Sequence, residues 1–149
     1  MHLMGRPAPL QALIAGGPLA HLVTLGRDGT PQVSVAWIGV EDGEIVLGTL
    51  FDQRKLRNLR RDPRVVLSLV TGARTKLGLD EYVVLHGTAR VTDGGAAELL
   101  GRLARVYIGP DVRFPPMPAP PPGLVVRCAI DAVTGNAAWV RDLEGGPGR

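Results

Sequence analysis

The sequence of 149 residues is poor in the residues that most catalytic centres use. Its two serines, Ser34 and Ser68, lie outside any G-x-S-x-G sequence, which argues against a serine hydrolase. Its three histidines are far apart and have no cysteine or carboxylate at ligand spacing, which argues against a metal centre. Neither G-x-G-x-x-G nor G-x-x-x-x-G-K-S/T occurs, so the usual dinucleotide and P-loop schemes do not apply.

Cysteine is equally scarce. Cys128 is the single cysteine, so an internal disulfide is excluded and a reducing compartment is favoured. It alternates with Val126 and Ile130, and we interpret it as a small buried apolar residue. No run approaches the roughly 18 apolar residues of a membrane span. The opening MHLMGRPAPL lacks the charged segment and apolar core of a secretory signal. We therefore expect a cytoplasmic protein without a membrane partner.

Positive charge, by contrast, is concentrated in one stretch, Thr49 to Leu67. The chain has 17 basic and 14 acidic residues, and six of the basic ones fall between Arg54 and Arg64 with one acid, Asp62. The pattern predicts a short helix here, and backbone N–H groups at a helix start favour an anion. A phosphorylated ligand is the first hypothesis that this stretch suggests.

Hydrophobic periodicity and turn residues predict one domain over residues 9–143, with flexible tails at 1–8 and 144–149. The predicted strands are His21–Gly26, Gln32–Val40, Glu44–Thr49, Arg64–Val70, Glu81–Thr92, Leu124–Ala132 and Ala137–Val140. Helices are predicted over 9–16, after Asp52 and over 94–108. The fold class is α+β, mainly β, with six to seven antiparallel strands and two to three short helices. A closed or half-closed barrel would hide the strand edges.

Several local expectations accompany this outline. Asp52 should cap the basic helix, and Asp62-Pro63 should end it. The apolar run Arg64–Val70 is typical of a central strand covered on both faces. Gly87 is expected to mark a bulge or bend. The segment 109–123 contains seven prolines and should be irregular.

The stretch TLFDQRKLRNLRRDPRVVLSL resembles the phosphate-binding segment of the pyridoxamine 5′-phosphate oxidase-like flavoproteins, which have a split β-barrel of the FMN-binding type. The matching features are Thr49 at a strand end, the pair Arg54-Lys55, Leu59 and Asp62-Pro63 before an apolar strand. HLVTLGRDGTPQVSVAWI before it and EYVVLHGTARVT after it are similar to the family as well. The NLRRDPR string is most like the branch that uses the deazaflavin coenzyme F-420.

The resemblance implies an oxidoreductase that transfers hydride between a bound deazaflavin and a small organic substrate, with FMN as the alternative cofactor. It implies a homodimer with the cofactor in a groove between protomers, and no catalytic side chain, because the chemistry is carried by the cofactor. The implied cofactor-binding residues are Gln32, Val33, Ser34, Val35, Thr49, Arg54, Lys55, Arg57, Arg61, Tyr82 and Trp139. Within this set, Thr49, Arg54 and Lys55 would hold the phosphate, and the strand beginning at Gln32 would line the ring.

The roles of the remaining residues are open. Arg57 and Arg61, with Arg60, offer the acidic oligoglutamate tail of F-420 a place to lie, although a solvated helix face is an alternative. Tyr82 and Trp139 would cover the ring or reach it from the partner chain, although each also suits a core position. The strand after Thr30 lacks the basic residues of the family's FMN oxidases, so pyridoxamine phosphate is not carried over as the substrate.

A non-catalytic module that stores flavin or haem, or binds nucleic acid through the basic helix, is the competing class. A pI near 9.6 permits the nucleic-acid hypothesis. Aromatic residues, however, make up only 4% of the chain, and none is interleaved in the basic helix for base stacking. We therefore expect a small-molecule partner and no nucleic acid.

Overall fold

A computed structural model describes residues 8–143, which form a seven-stranded antiparallel sheet and four helices. The strands are β1 (Ala20–Leu25), β2 (Pro31–Ala36), β3 (Gly39–Glu41), β4 (Glu44–Thr49), β5 (Arg64–Arg74), β6 (Asp80–Asp93) and β7 (Leu124–Gly135). The helices are α1 (Ala8–Ala15), α2 (Arg54–Arg61), α3 (Ala96–Tyr107) and α4 (Ala138–Leu143). Of the segments predicted to be tails, 1–7 and 144–149 lie outside the described residues.

The strand order is β2-β1-β5-β6-β7-β4-β3, so β2 and β3 are consecutive in the chain yet form opposite edges of the sheet. The sheet is curled into the split β-barrel that the sequence predicts, with four helices among the described residues where two or three were expected. The helix α2 crosses from β4 to β5 and packs on β1 and β6. This crossing places the basic residues beside the β2 edge.

Two of the predicted strands are wrong in part. The predicted strand Gln32–Val40 is divided into β2 and β3, because the buried Ile38 donates its backbone N–H to the Tyr107 hydroxyl at 3.0 Å and leaves the strand ladder. The predicted strand Ala137–Val140 instead begins helix α4. Ala137 and Val140 are both buried at a spacing of three residues, which suits a helical turn packed on the core.

The strand that is covered on both faces is β4 and not β5. In β4, Ile45 and Leu47 enter the main core, while Val46 packs under α3 in a second, smaller cluster. In β5 the buried residues alternate as Val65, Leu67 and Leu69, the pattern of a strand with one face in the core. An uninterrupted apolar run therefore did not distinguish the two strands.

Two glycines fix local backbone geometry where a side chain would not fit. The pairing of β6 with β7 shifts register between His86 and Gly87, which confirms the predicted bulge, and a Cβ at Gly87 would collide with the Ala129 carbonyl. Gly123 has a φ of +67° and fits between Thr49 and the start of α3, where a side chain would meet the Thr49 carbonyl oxygen.

The proline-rich segment 109–123 has no helix or strand, as expected. No helix among the described residues has the length and apolarity that spanning a bilayer requires.

Candidate cofactor-binding site

Helix α2 is short, basic and held by its apolar side. Leu56 and Leu59 are buried in the main core, and the Asp62 backbone N–H closes the last turn on the Asn58 carbonyl oxygen at 2.8 Å. The helix begins after an extended Gln53, and no side chain caps its first turn. The prediction that Asp52 is the cap is wrong, because its carboxylate instead pairs with Arg60 at 3.0 Å. The first turn of α2 therefore keeps its capacity to bind an anion.

A cavity of about 370 Å³ lies at this first turn, and we name it the Lys55 cavity. Its lining residues come from β2, the end of β4, the start of α2, α3 and the proline-rich segment: Val35, Ala36, Trp37, Gly48, Thr49, Leu50, Phe51, Gln53, Lys55, Leu100 and Phe114. Three residues of the predicted site, Val35, Thr49 and Lys55, are thereby brought together. They are separated in the chain by 14 and 6 residues.

Lys55 supplies the positive charge of this cavity. Its side chain is half-buried, and burial lowers the pKa of its ammonium below the usual 10.5. Within residues 8–143 the Lys55 ammonium has neither a hydrogen bond nor an ion pair. A desolvated cation without a carboxylate partner is unfavourable unless an anion joins it. The cavity is therefore electrostatically prepared for an anionic group.

Thr49 lies at the end of β4 and is only 5% exposed. Its hydroxyl donates a 2.8 Å hydrogen bond to the Phe51 carbonyl oxygen, which shapes the turn that leads into α2. Thr49 lines the cavity, but its hydroxyl proton is already used within the turn. The main contribution of Thr49 to the candidate anion site is therefore the shape of this turn, and not a free hydrogen-bond donor.

The second cavity, of about 660 Å³, runs along the neighbouring face of α2, and we name it the arginine groove. It is lined by Gly26, Arg27, Asp28, Thr30, Pro31, Gln32, Arg54, Arg57, Asn58 and Arg61. Arg54 therefore lies in the groove, whereas Thr49 and Lys55 line the Lys55 cavity. Arg57 has Asp52 at 3.8 Å, and Arg27 and Arg54 have no ion pair or hydrogen bond within the described chain. The four guanidinium groups face one acidic lining residue, Asp28.

Asn58 connects the groove to the sheet, and sequence reasoning missed it. It is 3% exposed, and its amide nitrogen donates to Thr24 at 3.1 Å and to Gln32 at 2.9 Å. Its amide oxygen accepts from Arg61 at 3.0 Å, while Arg61 also donates to the Leu25 carbonyl oxygen at 3.3 Å. Asn58 is the one uncharged polar residue within RKLRNLRR, and this exception in a basic helix could have indicated its role.

The remaining predicted residues lie elsewhere. Val33 is 61% exposed on the edge strand β2, and Ser34 is half-buried on its other face. Tyr82 is partly exposed at the start of β6, where its backbone N–H donates to Asn136 at 2.8 Å. Trp139 packs against the main core from α4. Neither aromatic lines the Lys55 cavity or the arginine groove, so a contact with this cofactor site would require a second copy of the chain.

The fold and this pair of cavities define a class of protein: a split barrel with two cavities between an edge strand and a basic helix. Residues 7–137 match the family model described as pyridoxamine 5′-phosphate oxidase. The chain belongs to this family, and the resemblance noted from the sequence is confirmed.

Solved structures with the same fold include an F-420 reductase, which is 20% identical with a TM-score of 0.67; the match covers 86% of this chain and 98% of the other. The conserved hypothetical protein Rv2991 from Mycobacterium tuberculosis is 26% identical with a TM-score of 0.66, over 90% and 85% of the two chains. A putative pyridoxamine 5′-phosphate oxidase from Listeria innocua is 15% identical with a TM-score of 0.59, over 85% and 94%. The family is one of flavin-type oxidoreductases.

Proposed function

We propose that the chain is an oxidoreductase that transfers hydride between the deazaflavin coenzyme F-420 and a small organic substrate. The observation that carries the proposal is the half-buried ammonium of Lys55, which has no anionic partner among the described residues and lies at the uncapped start of α2. A cofactor phosphate or phosphodiester would satisfy both the ammonium and the first-turn N–H groups.

The residues of the chain have binding and positioning roles in this proposal. Lys55 and the first turn of α2 hold the phosphate, and Thr49 fixes the turn. Arg54, which lies in the arginine groove, is left to the acidic tail. The strand from Gln32 to Val35 lines the ring. Bound deazaflavin supplies the hydride chemistry, so no side chain needs to act as a nucleophile. Holding the ring against the substrate and excluding water would be the protein's contribution to the rate.

The arginine groove favours F-420 over FMN. An oligoglutamate tail carries several carboxylates, and the groove presents Arg27, Arg54 and Arg57. The carboxylates near them are Asp28 in the lining and Asp52, 3.8 Å from Arg57. FMN ends at its phosphate and would leave this groove empty. The Lys55 cavity itself suits the phosphate of either cofactor, so FMN is the second candidate.

We also propose a homodimer with the cofactor between protomers, working in a reducing cytoplasm. Val33 and Val35 are 61% and 55% exposed on the edge strand β2, an arrangement that a second copy would bury. Cys128, the single cysteine, is a buried free thiol.

Titration of the purified protein with F-420 and with FMN tests the proposal. We expect F-420 to bind more tightly, and its advantage to shrink with added salt, because exposed charge pairs are screened. Equal affinities would favour the FMN alternative. Binding of neither cofactor would overturn the proposal and favour a non-catalytic module.

A further inference from the structure

The six aromatic residues of the chain are unevenly placed. None of them is among the buried core residues, which are aliphatic apart from Cys128. Trp37, Phe51 and Phe114 line the Lys55 cavity, and Tyr107 stacks on Trp37. Four of the six aromatics are therefore gathered at one cavity, although large apolar rings usually contribute most when they are buried in a core.

Trp37 is held rigidly. Its ring and that of Tyr107 are nearly parallel, with centroids 5.3 Å apart and planes 14° apart. The Tyr107 hydroxyl is fixed in turn, since it donates to the Pro18 carbonyl oxygen at 2.6 Å and accepts from the Ile38 backbone N–H at 3.0 Å. The indole therefore borders the cavity with little freedom to move.

Phe114 completes the cluster from the proline-rich segment. Its ring is tilted by 55° against Trp37, with centroids 5.3 Å apart, within the distance at which aromatic pairs interact. Its carbonyl oxygen approaches α3 at Gly101, where an added Cβ would lie 3.0 Å away. The segment is thus seated on α3, and this contact positions Phe114 at the cavity.

The cavity has two chemically different walls. The turn from β4 to α2 supplies Thr49, Gln53 and Lys55, the polar groups that the proposed function assigns to the phosphate side. The β2–β3 link, α3 and the proline-rich segment supply Trp37, Leu100 and Phe114, which are apolar. A planar ring that enters beside the cofactor would meet the second wall.

This inference rests on the proposed function. We infer that Trp37 and Phe114 form the subsite for the hydride acceptor and select planar, conjugated substrates over saturated ones of similar size and charge. A flat ring presents a π face to the indole and the phenyl group, whereas a puckered saturated ring makes contact over a smaller area. Aromatic pairing beyond simple burial corresponds to about a 2- to 12-fold difference in affinity.

The test compares 2-naphthoate with its saturated counterpart decahydro-2-naphthoate by calorimetry, using protein saturated with F-420. We expect the wild type to bind 2-naphthoate about 2- to 12-fold more tightly. Phe114→Leu keeps an apolar side chain but removes the ring, and should abolish this preference; Phe114→Tyr should retain it. Met117→Ala, on the same segment but outside the cavity lining, is the matched control and should leave the preference unchanged.

The outcomes separate the two proposals. A planar preference that survives Phe114→Leu or Trp37→Leu would overturn the acceptor subsite while leaving F-420 binding intact. Equal losses of F-420 and naphthoate affinity in Phe114→Leu would assign the cluster to the cofactor ring and likewise overturn it. Failure of the wild type to bind F-420 or FMN would overturn the proposed function, and the acceptor assignment with it. Unfolding midpoints of each variant confirm that folded protein is compared.

Discussion

Asn58 on α2 donates a 2.9 Å hydrogen bond to the side-chain oxygen of Gln32 on β2. The bond connects the basic helix to the strand proposed to line the cofactor ring. Because Asn58 also bonds Thr24 and Arg61, one buried amide sets the distance between the arginine groove and the sheet. The geometry of the proposed cofactor site therefore depends on Asn58, a residue that need not touch the cofactor.

Replacing Asn58 by leucine should lower the free energy of unfolding by about 1–3 kcal/mol, because it leaves the buried Thr24 hydroxyl and the Gln32 amide without their partner. Urea denaturation measures this loss. Gln53→Ala is the control, since Gln53 is exposed and its side chain does not cap the helix. If Asn58→Leu and Gln53→Ala lower the free energy of unfolding by the same small amount, Asn58 does not organise the site.

Replacing Lys55 by methionine should weaken binding of the phosphorylated cofactor about 10- to 100-fold, because a charge-assisted contact is lost while the apolar stem is kept. Folding should be little affected, since the ammonium has no partner in the described chain. The chain has one other lysine, Lys76, which is exposed in the β5–β6 loop, and Lys76→Met is the matched control. A collapse of the melting temperature in Lys55→Met alone would refute the phosphate-site assignment.

Because the pKa of Lys55 is lowered, both stability and ligand affinity should depend on pH in a predictable direction. Burial disfavours the charged form, so between the lowered pKa and 10.5 the unfolded chain binds more protons than the folded one. Burial also raises the pKa of Cys128 and of Tyr107, which lowers stability as pH rises over the same range. We therefore expect the free energy of unfolding of the cofactor-free wild type to rise with pH relative to that of Lys55→Met across that interval. The affinity for a phosphate ester should fall in the wild type and stay unchanged in Lys55→Met. An affinity that stays constant up to pH 10.5 would contradict this prediction.

Arg57 and Arg60 form a matched pair for testing the groove, because both are partly exposed and both pair with Asp52, but only Arg57 lines the groove. We expect Arg57→Gln to weaken F-420 binding by a few-fold at low salt, in keeping with a surface charge, and to leave FMN unchanged. Arg60→Gln should affect neither cofactor. Equal effects of the two variants on F-420 would refute the role of the groove in holding the acidic tail.

Sedimentation should give twice the chain mass of 15.8 kDa. Val33→Glu should shift the protein toward monomer and weaken cofactor binding, because it places a charge on the exposed edge strand that a second copy would cover. Leu77→Glu is the control, since Leu77 is 88% exposed at the tip of the β5–β6 hairpin. A wild-type monomer that binds cofactor fully would contradict the shared groove.

The sequence predicted the features that local chemistry decides. The end of α2 at Asp62-Pro63, the bulge at Gly87 and the irregular proline-rich segment follow from residues within a few positions of one another. The family resemblance implied that Thr49, Arg54 and Lys55 share one phosphate site; Thr49 and Lys55 do line the same cavity, whereas Arg54 lies in the arginine groove.

What could not be predicted depends on distant contacts. Asn58 meets Thr24 and Gln32 across 34 and 26 residues, and Tyr107 reaches Ile38 across 69. The apolar runs of β4 and β5 look alike in the sequence, and only α3, packed on β4, makes β4 the strand that is covered twice. The aromatic cluster likewise exists only after the proline-rich segment is seated on α3.

The split between β2 and β3 has a consequence for where a ligand would lie. These strands form the two edges of the sheet and are joined by Trp37 and Ile38, so the barrel is closed here by the covalent chain and not by a ladder of hydrogen bonds. Val35, Ala36 and Trp37, which line the Lys55 cavity, lie at this seam. A ligand in the cavity would therefore lie against the one part of the barrel wall where two consecutive strands, β2 and β3, share no hydrogen bonds.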